Sequence, residues 1–160
     1  MEFNDVIASR HSVRHFLDKE VPHRLLDAMV LQAGTAPSSR HSKSSAFMIV
    51  EDPDTLLALS ELRTSGAGFV KDAKAAIIVL GDESKSDLWE TNAAISATFL
   101  QLSAVNLGLG TCWVQVSGRR RSKDGSVPGM AEDYVRELLG IEDRMRVLCV
   151  IAVGYEAESL

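Results

Sequence analysis

The run from Arg10 to Phe16 carries side chains that could bind an anion. Arg10 and Arg14 offer forked guanidinium donors, His11 adds a ring nitrogen and Ser12 adds a hydroxyl. A phosphate monoester is bound by clusters of this kind, which combine charged and neutral donors. The same run could instead be a solvated basic loop that pairs with surface carboxylates. The residues alone leave both interpretations open.

A metal site is the other chemistry that this run could support. His11 and His15 are four residues apart, a spacing that would place two imidazoles on one face of a helix. No acidic or cysteine ligand accompanies them, and Arg10 and Arg14 flank them with positive charge. We therefore expect no metal here.

Two further polar segments could contribute to a site. The loop over 34–45 is rich in turn formers and hydroxyl residues, although an ordinary surface connection could have this composition. The basic run Arg119-Arg120-Arg121 could be a solvated patch, a nucleic-acid contact or additional positive charge near a ligand phosphate. Because the formal net charge of the chain is -5, the nucleic-acid contact is the least favoured of the three.

Several other catalytic signatures are absent from the sequence. There is no G-x-S-x-G nucleophile elbow. Gly108-Leu109-Gly110 lacks the third glycine of a dinucleotide fingerprint and precedes a predicted strand rather than a helix. Cys112 and Cys149 lie in apolar runs without metal-type spacing, so both are predicted to be buried free thiols.

The composition predicts one globular domain over residues 1–160, since 46% of the residues are hydrophobic and 24% are charged. The first residues lack the basic and apolar regions of a secretory signal, and no apolar stretch is long enough to span a bilayer. We therefore expect a cytoplasmic protein with neither a membrane nor a nucleic-acid partner.

Hydrophobic periodicity predicts helices that alternate with short buried strands. The helices are expected over 3–9, after Pro22, from about Asp54, over 86–106 and from Met130 to Gly140. The strands are expected over 47–50, 75–80, 111–116 and 146–155. The helix over 86–106 is apolar on most sides, so we expect it to be buried nearly all round. This order predicts an α+β fold in which helices flank a sheet.

Three segments, in order along the chain, resemble motifs of the nitroreductase family. Residues 9–16 are similar to its R-x-S-x-[KR]-x-F element. Residues 36–41 lie where the family has an A-P-S-x-x-N loop, and residues 92–113 are similar to its long interface helix ending in G-L-G-x-x-W. The resemblance implies an α+β fold with a mixed sheet flanked by helices. It also implies a homodimer, built around the long helix, that binds flavin mononucleotide (FMN) at its interface.

The resemblance further implies which residues bind FMN. Arg10, His11 and Ser12 would hold the phosphate and ribityl end, and Arg14 would reach the pyrimidine edge of the ring and act on it electrostatically. The partner subunit would supply a group of loop residues: Pro37, Ser38, Ser39 and His41. One strand would pass beside the ring with the residues Thr111, Cys112, Trp113, Val114 and Gln115.

Two segments depart from the family pattern. The loop continues as His41-Ser42-Lys43-Ser44-Ser45, where the family usually has N-x-Q-P-W. The segment 155–160 carries no basic residue, where the family commonly places cations that meet the phosphate. We hypothesise that Arg119, and after it Arg121, replaces that positive charge.

The activity that the resemblance implies is ping-pong hydride transfer. NADH or NADPH would reduce FMN at N5, and an electron-poor acceptor such as a quinone or a nitroaromatic would then be reduced in the same pocket. No catalytic side-chain nucleophile is required. The alternative, favoured by the altered loop over 41–45, is a protein that binds or sequesters flavin without efficient NAD(P)H turnover. Chemistry on the flavin itself, or a dehydrogenation, is a third possibility.

Overall fold

The computed structural model of the protein describes residues 1–158. The helices are α1 (Phe3–Ser9), α2 (His23–Ala33), α3 (Pro53–Ser60), α4 (Trp89–Asn106) and α5 (Ala131–Leu139). The strands are β1 (Ser45–Val50), β2 (Ala75–Asp82), β3 (Gly110–Gln115) and β4 (Met145–Gly154). The predicted order of helices and strands is confirmed. Within the described residues, no helix has both the length and the apolarity needed to cross a membrane.

The four strands form one sheet in the order β1-β2-β4-β3, and every neighbouring pair is antiparallel. The mixed sheet expected from the resemblance is reduced, in this chain, to one parallel bridge between Ser12 and Thr111. The reason is geometric, because the extended segment after α1 meets the edge of β3 only at this position. The α+β architecture itself agrees with the sequence prediction.

The strand register defines two ends of the sheet. Gly110 pairs with Gly154, so the start of β3 and the end of β4 lie at one end, called here the Gly110 end. Ser45 pairs with Gly81, so the start of β1 and the end of β2 lie at the opposite end, called the Ser45 end. The segment after α1 contacts the Gly110 end through Thr111. The serine-rich loop leads directly into β1 at the Ser45 end.

Helices cover both faces of the sheet. One hydrophobic cluster joins α3 and α5 to the face that carries Ile78 and Val150. A second cluster joins α2 and α4 to the opposite face, which carries Ile77 and Ile151. All eight residues of β2 are buried, because a strand with helices on both faces has no solvent side.

Helix α4 runs from the Ser45 end to the Gly110 end. Its buried side includes Asn92, Ser96 and Leu100. On another side Ile95 and Phe99 are only half-buried. The sequence predicts that this helix is buried nearly all round, and this is wrong for one side. In a single chain, that side is partly exposed to solvent within the described residues 1–158.

Candidate functional site

The segment from Arg10 to Phe16 leaves α1 as extended chain rather than as a helical turn. Arg10 already has extended backbone angles, with φ -62° and ψ 124°. The N–H of Val13 donates to the carbonyl of Thr111 at 2.9 Å. Phe16 forms an antiparallel bridge with Glu156, which follows β4. Neighbouring side chains of an extended chain point to opposite sides, so the side chain of Arg14 points away from that of Val13.

Two glycines let this segment lie directly on the sheet. A Cβ atom added to Gly110 would lie 2.7 Å from Cγ2 of Val13. A Cβ atom added to Gly154 would lie 2.7 Å from Cδ1 of Phe16. Val13 is buried as a result, with 4% of its surface exposed. Arg14 stands between these two contacts, so its backbone is held from both sides.

The segment forms one wall of a cleft of about 1070 Å³. Ser12, Arg14 and Phe16 line this wall, while Lys71 and Lys74 line the cleft from the chain that precedes β2. Small-molecule sites usually measure about 300–1,000 Å³. The cleft is therefore large enough for a nucleotide.

The two lysines are site residues that the sequence analysis misses. Lys74 forms an ion pair with Asp18, and its ammonium lies 3.8 Å from a carboxylate oxygen of Glu20. The hydrogen bond between Lys74 and Asp18 raises the pKa of the lysine and lowers the pKa of the aspartate. Lys71-Asp72-Ala73-Lys74 matches none of the motifs considered above, and its position directly before a buried strand is the one signal in the sequence.

The polar groups of the cleft fit one edge of FMN. The hydroxyl of Ser12 and the cations Arg14, Lys71 and Lys74 are donors for phosphate oxygens and for the carbonyl-rich pyrimidine edge of a flavin. The same cleft is also lined by four carboxylates, which belong to Asp18, Asp72, Glu156 and Glu158. The donor set therefore suits FMN, but the cleft as a whole carries both positive and negative side chains.

His11 turns towards Glu156 instead of remaining free. Its Nε2 lies 2.8 Å from Oε1 of Glu156, and its Nδ1 lies 2.8 Å from the carbonyl oxygen of Ser9. Both nitrogens can donate at once only when the ring is protonated. The hydrogen bond with Glu156, followed by that with Ser9, raises the pKa of His11. His11 thus lines the cleft, and each of its ring nitrogens already has a hydrogen-bond partner within the chain.

Arg10 and His15, the other polar residues of this segment, are placed differently from Ser12 and Arg14. Arg10 is exposed and stands outside the set of residues that line the cleft. His15 lines the cleft, but the extended backbone removes the helical face that would have aligned it with His11. Over residues 1–158, His, Cys, Asp and Glu side chains form no group of three that could hold a metal ion.

Strand β3 presents its side chains alternately to two faces, so its five predicted residues cannot all face one ring. Thr111, Cys112 and Val114 are buried, each with 2% of its surface exposed. Trp113 and Gln115 are half-buried and line a second cleft of about 520 Å³ beside α4. Trp113 and Gln115 are therefore the side chains of this strand with accessible surface, and the expectation that the strand passes beside the flavin stays a prediction.

The two accessible side chains of β3, Trp113 and Gln115, are joined by a hydrogen bond. The indole Nε1 of Trp113 donates to Oε1 of Gln115 at 2.9 Å. The amide Nε2 of Gln115 donates to the carbonyl of Ser117 at 3.1 Å. On the other side of the strand, burial raises the pKa of the Cys112 thiol, although the charge of Arg14 opposes this shift. Cys112 directly follows Thr111, which forms the parallel bridge with Ser12, so the segment that carries Arg14 runs along this edge of β3.

The loop residues Pro37, Ser38, Ser39 and His41 lie at the Ser45 end, away from Arg14 of the same chain. Ser39 contacts Asn92 in the first turn of α4. Val105, in the last turn, lines a small pocket together with His11. Asn92 and Val105 are thirteen residue steps apart along the helix, a distance of about 20 Å. One chain therefore does not bring the two predicted halves of the site together.

Arg119 and Arg121 do not lie beside the Ser12 segment either. They follow the end of β3 at Gln115, which is four residue steps from Thr111 along the strand, a distance of about 13 Å. Nη2 of Arg121 donates to the carbonyl of Glu61 at 2.8 Å. Its guanidinium carbon also lies 4.0 Å from the ring centroid of Tyr134. Arg121 thus joins α3 to α5, and the hypothesis that Arg119 and Arg121 supply the phosphate-binding charge stays a prediction.

A sheet covered by helices on both faces, with a polar cleft of nucleotide size at one end, defines an α+β protein with a candidate nucleotide site. The chain belongs to the Nitroreductase family, whose model matches residues 7–155. The family resemblance that three sequence motifs indicate is therefore confirmed.

Individual relatives agree with this assignment. A candidate NADH dehydrogenase/NAD(P)H nitroreductase of Methanothermobacter thermautotrophicus is 31% identical over 162 residues, covering 99% of this chain and 80% of the relative. The solved structure of an FMN-dependent nitroreductase from Clostridium difficile R20291 has a TM-score of 0.90 at 36% identity, covering 97% of this chain and 88% of that chain. A candidate NADH dehydrogenase/NAD(P)H nitroreductase from Parabacteroides distasonis has a TM-score of 0.88 at 30% identity, covering 99% and 89%. The predicted fold is thereby confirmed.

Proposed function

We propose that the protein is an FMN-dependent oxidoreductase that carries hydride from NADH or NADPH to an electron-poor acceptor, such as a quinone or a nitroaromatic. The observation that carries this proposal is the position of Arg14. It is held between Val13 and Phe16 at the wall of a cleft of about 1070 Å³. Family membership and the FMN dependence of the Clostridium difficile relative support the choice of cofactor.

FMN, when bound, supplies the hydride chemistry, so the chain needs no nucleophilic side chain. Arg14 would hold the pyrimidine edge, and its fixed charge would favour negative charge on the ring. The hydroxyl of Ser12 would donate to a ribityl or phosphate oxygen. Lys71 and Lys74 would extend the set of cationic donors along the same cleft.

A second copy of the chain would complete the site. The serine-rich loop and Arg14 lie at opposite ends of the sheet, joined by α4. A two-fold axis across the middle of α4 would bring the loop of one protomer to Arg14 of the other. The half-buried apolar residues Ile95 and Phe99 would supply the contact between the helices. Light scattering on the FMN-loaded protein tests this assembly, and a monomeric mass would contradict it.

The test of the proposed activity begins with the absorption spectrum of the purified protein. Anaerobic NADH or NADPH should bleach the flavin bands, and a quinone should restore them. Arg14→Gln should slow the bleaching about 100-fold, the usual effect of removing one preorganised electrostatic partner. Arg24→Gln, on the exposed side of α2, is the matched control and should react like the parent. If neither nucleotide bleaches the bound flavin, the reductase proposal fails.

One observation favours the second candidate function, flavin binding without efficient NAD(P)H turnover. Four carboxylates line the same cleft as Arg14, and they would repel the phosphates of an approaching dinucleotide. Under this alternative the protein would be isolated with flavin, yet neither nucleotide would bleach it. Neutralising Glu158 as Glu158→Gln would then increase the rate of reduction.

A further inference from the structure

Asn92 is a buried amide in the first turn of α4, with 2% of its surface exposed. Its Oδ1 accepts the backbone N–H of Ser39 at 3.0 Å. Its Nδ2 lies 3.0 Å from the hydroxyl oxygen of Ser44 and 3.1 Å from that of Ser39. The orientation of the amide follows from these contacts, because only its oxygen can accept the N–H of Ser39.

Two further serines surround the same amide nitrogen. The hydroxyl oxygens of Ser42 and Ser86 lie 3.3 Å and 3.4 Å from Nδ2 of Asn92. An amide nitrogen carries two hydrogens, so the two shorter contacts, to Ser44 and Ser39, are the hydrogen bonds expected at any one time. Ser86 in turn lies 3.0 Å from the hydroxyl of Ser39 and accepts the N–H of Leu88 at 3.0 Å. Asn92 therefore ties the loop to α4 and to the turn that precedes it.

The loop that Asn92 holds has an unusual backbone. Arg40, His41 and Lys43 have φ angles of 51°, 56° and 51°. Residues other than glycine seldom adopt this left-handed conformation, and it persists where the surroundings fix it. The side chains of Arg40 and His41 are exposed. The amide thus fixes the loop from its inner side, while two basic side chains extend from its outer side.

We propose that Asn92 is a positioning residue for the cofactor site of the other protomer. This inference rests on the proposed function, because it requires an FMN-loaded dimer. Asn92 is about 20 Å along α4 from the turn that adjoins His11 of its own chain, so it acts on that chain's flavin site only through a second copy. A loop that is ordered before association loses less conformational entropy when Arg40 and His41 meet the partner's cofactor.

The first experiment compares two substitutions on the same helix. Asn92→Leu keeps the side-chain size but removes every hydrogen bond to the serines. Ser103→Ala is the matched control, since Ser103 is 4% exposed and its hydroxyl has no hydrogen-bond partner within the described residues. We expect Asn92→Leu to raise the Kd for FMN about tenfold, the effect of losing one buried hydrogen bond, while Ser103→Ala leaves it unchanged. An unchanged Kd in Asn92→Leu would overturn the proposal.

Mixed dimers show in which protomer Asn92 acts. Chains carrying Asn92→Leu and chains carrying Arg14→Gln are given different affinity tags and purified together. If Asn92 acts across the interface, one of the two sites combines an intact Arg14 with an intact loop, so the mixed dimer recovers about half of the wild-type turnover. If Asn92 acts on its own chain's site, both sites are defective and turnover remains low, which overturns the proposal.

A milder variant covers the case in which Asn92→Leu does not fold. Ser44→Ala removes one acceptor of the amide, and Ser44 is buried with 1% of its surface exposed. It should raise the Kd for FMN in the same direction and complement Arg14→Gln in mixed dimers. Absence of complementation would overturn the proposal. Failure of the proposed function would be recognised separately, because wild-type dimers would then show no bleaching with either nucleotide.

Discussion

The ring of Phe16 occupies the space that a side chain at Gly154 would need. A Cβ atom at that position would lie 2.7 Å from Cδ1 of Phe16, closer than two carbon atoms can approach. Phe16 is two residues beyond Arg14, so this contact fixes one end of the segment that carries the candidate flavin-binding arginine. Strand β4 therefore helps to position Arg14 although it contributes no side chain to it.

Gly154→Ala should accordingly both destabilise the protein and weaken FMN binding. Crowding of this kind usually costs about 1–3 kcal/mol, because the displaced ring must leave its packed position. Urea unfolding and a flavin titration measure the two effects. Gly34→Ala is the control, since its nearest contact would be an ordinary 3.4 Å from the carbonyl of Leu31. A Gly154→Ala protein that binds FMN like the parent would show that Phe16 does not position Arg14.

The contact between His11 and Glu156 should make stability depend on pH. Hydrogen bonds with Glu156 and Ser9 raise the pKa of His11 above its ordinary value of 6.5. A raised pKa in the folded state means that the stabilisation is fully present below pH 6.5 and is lost as the pH rises through the folded-state pKa. His11→Gln should therefore lower the urea midpoint at acidic pH and have little effect at alkaline pH.

A second histidine must be removed before this effect is measured. Glu51 and Asp27 raise the pKa of His23 in the same direction. The comparison is therefore made in a His23→Gln background, where the pH dependence attributable to His11 remains. Equal effects of His11→Gln at both ends of the pH range would contradict the prediction.

Arg121→Ala should destabilise the protein without changing its affinity for FMN. The guanidinium donates to the carbonyl of Glu61 and lies over the ring of Tyr134, so its removal should cost about 1–3 kcal/mol in urea unfolding. Arg119→Ala, at an exposed position, is the control for stability and should have little effect. Weaker FMN binding in either variant would contradict this prediction and support the hypothesis that these arginines supply charge to the phosphate.

Neither cysteine should react readily with a thiol reagent in the folded protein. Burial raises the pKa of Cys149 well above its usual value and raises the pKa of Cys112 to a smaller extent. The reactive thiolate is therefore scarce at neutral pH, and both sulfur atoms are buried. Titration with a chromogenic disulfide should find two thiols in denaturant and none in the native state. Rapid native labelling of Cys112 would show that the Arg14 segment opens.

Much of the secondary structure can be predicted from the sequence because its causes are local. Gly140 ends α5 in the left-handed conformation with φ 63°, as expected for a glycine after the last apolar residue of a helix. The apolar runs in β2 and β4 predict buried strands for the same reason. The half-buried side of α4, in contrast, could not be predicted from the sequence. Periodicity reports which side chains are apolar, and the number of chains that surround a helix is decided by assembly.

Some residues of the candidate site can likewise be predicted from the sequence, and others cannot. Ser12 and Arg14 can be identified from the sequence because they stand in one short motif, and an extended segment brings both to one cleft. Lys71, Lys74 and Asn92 carry no such pattern. Their contacts join residues that are distant along the chain, and contacts of that kind arise only when the strands pair and the helices pack.

The residue types therefore determined the family and the half of the candidate site around Arg14, since a motif of adjacent donors keeps its chemistry in any compact arrangement. Only the tertiary structure decided what surrounds it. The register of β3 against β4 brings Gly110 and Gly154 together beneath the segment. The length of α4 separates the serine-rich loop from Arg14 by about 20 Å, because each helical residue advances the chain by a fixed rise. That distance is the physical reason why a second copy is proposed to complete the site.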